Sequence, residues 1–364
     1  MLWSPDQDRA LKAVSDWLKH GGAPVFRLFG YAGTGKTTLA RHLAEGVDGQ
    51  VVFGAFTGKA ALVMRDKGCS GASTIHSLIY RPSESSEASP VFSMNRDSVV
   101  NDAELVIIDE CSMVDEELGR DLLSFGKPVL VLGDPAQLPP VKGGGFFTED
   151  EPDILLTEVH RQARDNPIIA MSMDVREGLD LDYGRYEDSR VISRSDLQSE
   201  DILNADQVLV GRNITRTRYN QRMRELKNFE GQFPQAGERL ICLRNNKKKG
   251  LLNGSLWDVQ STGRDKRGRL QMYVLPDPAP PKSKQVRIRV WPHFFQGRQE
   301  ELAWPERRNS DEFDFGYVLT THKAQGSQWD DIVLFDESFA FREHKTRWLY
   351  TAVTRAAKTI TIVR

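Results

Sequence analysis

Cysteine is scarce in this chain: Cys69, Cys111 and Cys242 are the only three in 364 residues, and no two have CxxC spacing. That excludes a disulfide framework or a cysteine zinc site and suits a reducing compartment. Neither sign of charge dominates. Lys and Arg number 49 against 51 Asp and Glu, a formal net charge of -2, so any polyanion site must be a local patch. Three basic runs, "RNITRTRYNQRMR", "RNNKKKG" and "GRDKRGR", read as solvated faces unless something else brings them to a ligand. Long apolar runs are absent too. No segment is long enough to cross a bilayer, and the N-terminal "MLWSPDQDRALKAV" has no signal core. A soluble, cytoplasmic protein with no membrane partner is expected.

What is present is enough apolar residue, 39%, to build sizeable cores. Short Val/Ile/Leu runs alternate with helix-like segments in two series. "PVFRLFG", "QVVFGAF", "AELVIIDE" and "KPVLVLGD" form the first; "DQVLVGRN", "FGYVLTTH", "DIVLFDE" and "TITIVR" form the second. Each series predicts an α/β unit whose parallel sheet is covered on both faces. The first unit is expected over 1–80 and 102–150, the second over 151–245 and 311–364. Residues 81–101, rich in Ser and Glu, interrupt the first as a loop or small hairpin. Residues 246–310 read as a small all-β insert in the second.

The strongest local signal is "GYAGTGKTT", Gly30 to Thr38, between a predicted strand and helix. In this phosphate-loop pattern Gly30, Gly33 and Gly35 let backbone N–H groups converge on phosphate oxygens at a helix N-terminus. Lys36 would reach the terminal phosphates, Thr37 would ligate Mg²⁺, and Thr38 lies beside them. "ELVIIDE" ends a strand with Asp109, a second Mg²⁺ ligand, and Glu110, a base for an attacking water, which favours hydrolysis over transfer to a small molecule. "VLVLGDPAQLPPV" brings Asp134 and Gln137 to the same sheet edge, where Gln137 would sense the γ-phosphate. The flanking prolines would stiffen that loop and pass its signal toward the second unit.

These blocks, with "AFTGKAA", "STIHSLI", "EVHRQ", "VLTTHKAQGSQWDDIVL" and "YTAVTRAAK", occur in the order seen in superfamily 1 helicases. The chain resembles the RecD-like branch, which includes RecD and Dda, from Gln7 to its C-terminus. The resemblance implies two RecA-like phosphate-loop NTPase domains in tandem, with a pin at 81–101 and an SH3-like insert at 246–310. It implies ATP and Mg²⁺ as cofactors, Gln7 as the adenine contact, and Gln325 and Gly326 near nucleotide and strand. Arg161 and Arg355 would be cationic fingers that meet the γ-phosphate when the cleft closes. Thr57, Lys59, His76, Thr321, His322 and Lys323 would track single-stranded DNA, with Phe92 as a stacking candidate beside Trp257 and Trp291. Phe56 stands where the family usually has proline. The chain stops just after the final strand, so no accessory nuclease or relaxase domain is expected.

The function expected is an ATP-dependent DNA helicase moving 5′ to 3′ on single-stranded DNA, the polarity coming from the resemblance alone. Its partners would be single strands, duplex junctions and a single-strand-binding or replication and recombination protein. It would act as a monomer in a bacterial or phage-infected cell. Three rivals stand beside it: an RNA helicase or a translocase that does not separate strands; a phosphate-loop small-molecule kinase, which leaves the second unit and Arg355 unexplained; and a nucleotide-gated binding module, against which Glu110 argues.

Overall fold

The computed structural model describes residues 3–82, 92–139, 145–158 and 166–364. Six strands form the first sheet in the order Ser73–Thr74, Gln50–Ala55, Ala103–Asp109, Val129–Gly133, Val25–Gly30 and Ile154–Leu156, every pair parallel. Alternation along the strands explains why both faces are covered. Leu105, Ile107, Leu130 and Leu132 enter one apolar cluster, while Val106, Ile108, Val129 and Val131 enter the other.

The second sheet runs Val318–Thr320, Gln207–Val210, Trp329–Phe335, Ala356–Val363, Ser189–Ile192 and Gly184–Tyr186. Its pairs are parallel except for the terminal hairpin of the last two strands. A third, antiparallel sheet of five strands runs Val286–Val290, Leu270–Asp277, Leu256–Arg264, Arg239–Cys242 and Phe313–Phe315. No helix among the described residues is long and apolar enough to cross a membrane.

The expected borders shift at two places. Ile154–Leu156 pairs with Val25–Gly30, so the first sheet extends past residue 150. The β insert begins and ends outside 246–310, because Arg239–Cys242 and Phe313–Phe315 pair within it. "FGYVLTTH", read as one strand, is divided at Gly316. There the chain crosses so close to Leu240 and Ile241 that an added Cβ would lie 2.8 Å from the Leu240 carbonyl carbon. Within 81–101, Tyr80–Pro82 pairs antiparallel with Phe92–Met94, and the remainder between them lies outside the described residues.

Part of two of the basic runs is taken up by this architecture. Arg244 pairs with Glu312 at 2.9 Å, Lys249 with Asp311 at 2.5 Å and Arg269 with Asp265 at 2.6 Å. In the third, Arg224 is fully buried and makes a two-pronged pair with Glu238, both bonds 2.8 Å, under the Phe315 ring. Trp257 is buried in the insert's core, and half-buried Trp291 packs against the same cluster, its indole N–H donating to the Glu306 carbonyl.

Candidate active site

The two parallel sheets face each other across a cavity of about 570 Å³. One wall carries Lys36, Thr37, Thr38, Asp109, Glu110 and Gln137; the other carries Gly326 and Arg355. The loop from Gly30 reaches the helix Lys36–Glu45 through Gly33 and Gly35, both left-handed with φ near 78° and 79°. That conformation is nearly free for glycine alone, and it turns the first amides of the helix inward. Lys36 Nζ donates to the carbonyls of Gly30 and Tyr31, at 2.5 and 3.1 Å, and so lies folded over its own loop.

Thr37 Oγ1 donates to Asp109 Oδ2 at 2.9 Å, bringing a hydroxyl from one element and a carboxylate from another to one point. Both are hard oxygen donors of the kind Mg²⁺ takes, so the residues fit that ion. Glu110 follows with φ 53°, a strained left-handed turn for a residue with a side chain, which swings its carboxyl out of the strand. Burial raises the Glu110 pKa; the nearby charges of Arg355 and Lys36 oppose that, and those of Asp109 and Asp134 add to it. Gln137 is buried, and its Oε1 has no hydrogen-bond partner among the described residues. An unpaired buried acceptor beside a phosphate loop fits a ligand or water donor.

Arg355 projects from the opposite wall, only 6% exposed. Its three nitrogens donate to the Thr351 and Ser327 carbonyls and to Thr354 Oγ1, at 3.0, 3.3 and 3.2 Å, which holds the guanidinium in place. Gln325 is buried and donates across the cleft to the Leu138 carbonyl at 3.1 Å. Gly326 approaches the first unit so closely that a Cβ would lie 2.9 Å from Thr57 Oγ1. Gln7 does not line the cavity: its Oε1 accepts from the Ser4 amide and its Nε2 donates to the Thr34 carbonyl, bracing the phosphate loop from behind. Arg161 lies outside the described residues.

The strand candidates divide. Thr57 caps the helix Gly58–Asp66 by accepting from the Ala60 amide. Lys59 lies between the main cavity and a neighbouring one of about 350 Å³ beside Asp277, and burial lowers its pKa. His76 is exposed and lies between the rings of Phe56 and Tyr80, so the residue that replaces the family's proline packs on a strand candidate. Thr321 is fully buried and donates to the Val210 carbonyl, a brace for its helix rather than an exposed contact. His322 packs on Phe341, which stacks on Trp348, and Lys323 is exposed beside it. Phe92 begins a strand, and its side chain is outside the described set.

One surface aromatic escaped the sequence reading. Phe339 is 64% exposed, with the Arg212 guanidinium 5.7 Å from its ring centre. Buried Glu337 fixes that arrangement by accepting from the Gly211 and Arg212 amides and from Arg212 Nε. A Phe two residues from one that packs against His322 was the available signal, but exposure cannot be read from the sequence.

An AAA-domain family model matches residues 3–196, more than half of the chain, and a UvrD-like helicase C-terminal domain matches residues 315–363. The chain belongs to the AAA-domain family. It is 28% identical over 363 residues to the ATP-dependent RecD2 DNA helicase of Deinococcus radiodurans, covering 90% of this chain and 45% of that protein. It is 33% identical over 164 residues to the ATP-dependent DNA helicase Dda of Enterobacteria phage T4, covering 41% of this chain and 37% of that one. The chain thus spans less than half the length of these curated relatives. Among solved structures, a Pif1 helicase studied at forked double-stranded DNA aligns with TM-score 0.62 and 19% identity, over 99% of this chain and 92% of the other. Bacteroides Pif1 bound to single-stranded DNA aligns with TM-score 0.60 and 18% identity, at the same coverage. These two likenesses concern the fold: tandem α/β units with parallel sheets.

Proposed function

We propose that the chain is an ATP-hydrolysing motor that moves 5′ to 3′ along single-stranded DNA and separates duplex ahead of it. The observation that carries this reading is the cavity between the two sheets. It opposes Lys36, Thr37, Asp109, Glu110 and Gln137 on one wall to Arg355 on the other. A site whose halves belong to different bodies is completed by closure, so nucleotide turnover becomes movement.

In this reading the amides from Gly33 to Thr37 cradle phosphates, and Lys36 leaves its loop carbonyls to meet them. Thr37 and Asp109 would hold Mg²⁺, which when bound offsets phosphate charge. Glu110 orients a water and takes its proton, Gln137 donates through Nε2 to the terminal phosphate and accepts through Oε1 from that water, and Arg355 stabilises charge that grows in the transition state. Arg161 is proposed for the same task on the strength of its motif. Gln7 supports the loop and, through it, the base-side geometry.

The strand path we propose follows His76 on the first unit and His322 and Lys323 on the second. Thr57 and Lys59 lie at the inner edge of the cleft, and Phe339 with Arg212 offers a face on which a base can stack. The domain division proposed is one α/β unit through Leu156, a β insert over 239–315, and a second α/β unit on both sides of that insert, before residue 239 and after Gly316.

The deciding experiment measures ATPase rate without polymer, with single-stranded DNA and with RNA, for wild type and Lys36→Ala. Stimulation by DNA, lost in Lys36→Ala, is expected; no stimulation by any polymer would overturn the motor reading. Forks with a 5′ or a 3′ tail then test polarity and strand separation, and a strand-stimulated ATPase that opens neither fork would mark a translocase.

A further inference from the structure

Tyr350 stands where the two units meet at the phosphate loop. It lies on the helix Lys345–Val353, five positions before Arg355. Its ring is buried in the apolar core of the second unit, 1% exposed. Its hydroxyl, however, leaves that core and joins two loops of the first unit. The Ala32 amide donates to it at 3.0 Å, and it donates to Asp134 Oδ2 at 2.7 Å. Ala32 lies inside the phosphate loop, and Asp134 opens the loop that carries Gln137. Asp134 is itself buried, with its other oxygen accepting from the Ala136 amide at 3.0 Å.

A phenylalanine would fill the same ring volume, so packing does not require the hydroxyl. The oxygen's visible use is to tie together the two loops that face the phosphate position and to anchor both to the second unit. The link onward to Arg355 is short and stiff. The Thr354 amide donates to the Tyr350 carbonyl at 3.0 Å, and Arg355 Nε donates to the Thr351 carbonyl at 3.0 Å. Thr351 in turn accepts from the Leu138 amide at 2.9 Å. A shift of Ala32 or Asp134 on phosphate binding therefore moves a body that ends in Arg355. Such a device needs contacts that differ between two states, and a phosphate competing for the Ala32 amide supplies the difference.

We propose that Tyr350 is a positioning residue: its hydroxyl registers the state of the phosphate loop and the Gln137 loop and sets Arg355 accordingly, which governs the strand-stimulated rate of hydrolysis. This rests on the motor reading above.

The test uses the full chain as wild type, Tyr350→Phe, Asp134→Asn and the double variant. Binding of ATP and of a dT oligonucleotide is expected to stay within about threefold in Tyr350→Phe, because the hydroxyl is not asked to hold either ligand. The kcat with saturating oligonucleotide falls about tenfold, the rate equivalent of one lost buried hydrogen bond in the closed state. The double variant falls no further than Asp134→Asn within about twofold, since both changes remove one interaction. A Tyr350→Phe enzyme with wild-type stimulated kcat, or a double variant whose losses multiply, would overturn the proposal while leaving the motor reading intact. A wild type that no polymer stimulates overturns both.

Discussion

Thr74 and Thr320 occupy matching places in the two α/β units. Each ends an edge strand of its parallel sheet, and each caps a short helix by accepting a backbone N–H three residues on, from Ser77 and Lys323. A histidine follows two residues later in both, His76 and His322, each against an aromatic ring. Under the proposed function the repetition would give two equivalent grips on the strand, one on each unit. Replacing either histidine by alanine is expected to weaken binding of a labelled dT oligonucleotide about three- to tenfold, the loss of one contact, with thermal stability little changed. Unaltered affinity in both variants would remove the histidines from the strand path.

Acid should destabilise the fold around His322 for a defined reason. Burial, and then the nearby His344 charge, lower the pKa of His322. Its pKa is thus lower folded than unfolded, where it takes the ordinary value of about 6.5. Just below that value the unfolded chain binds more protons, so stability contributed by neutral His322 is complete above it and is lost as pH falls. Urea midpoints measured at pH 7.5 and 6.0 should drop less in His322→Gln than in wild type. An equal drop would assign the pH dependence elsewhere.

Leu138 is the apolar counterpart of the Tyr350 clasp. It belongs to the first unit's Gln137 loop yet is buried in the second unit's core, with its amide held by Thr351 and its carbonyl by Gln325. Leu138→Ala keeps both backbone bonds but empties the pocket. A loss of about 2–5 kcal/mol is expected if the two units unfold together, along with a lower ratio of strand-stimulated to basal ATPase. A midpoint within error of wild type would mean that the units separate before either unfolds.

The gathering of Lys36, Asp109, Glu110 and Gln137 at one cleft was legible because its signals are local. A phosphate loop, a strand-end Asp-Glu pair and a Gly-Asp-Pro turn each carry their own geometry, and parallel strands bring their ends to one edge. Contacts that depend on which body packs on which were not legible. Nothing local in "YTAVTRAAK" marks the Tyr350 hydroxyl as a tie between units, and Thr321, expected on the strand path, is buried. Phe315 and Val318–Thr320 read as one apolar run, since nothing local says that its halves join different sheets. The basic run ending at Arg224 misled in the same way, because a guanidinium with a distant buried acid looks like any surface arginine.

That arginine gives a stability prediction free of function. Arg224 and Glu238 are both fully buried, and Arg224 also donates to the Gly231 and Phe233 carbonyls. Arg224→Met leaves the Glu238 carboxylate buried without its cation, a loss of about 3–5 kcal/mol. The double variant Arg224→Met, Glu238→Gln should recover part of it. No recovery in urea unfolding would locate the cost in packing beneath Phe315 instead of in the stranded charge.

Gln137 separates function from stability most sharply, because the two should move in opposite directions. Its Oε1 is buried and unpaired, which costs free energy in the protein without ligand. Gln137→Ala removes that cost and leaves the Asp134 and Leu138 anchors in place, so the unliganded variant should be no less stable than wild type, and up to about 1 kcal/mol more stable. Binding of ATP and of single-stranded DNA should persist, while strand-stimulated hydrolysis falls about 10- to 100-fold if this side chain meets the terminal phosphate or its attacking water. Calorimetry and steady-state ATPase on the same preparation give both signs. A variant that is less stable and fully active would make the glutamine a strut for its loop, and the unpaired oxygen would then need another explanation.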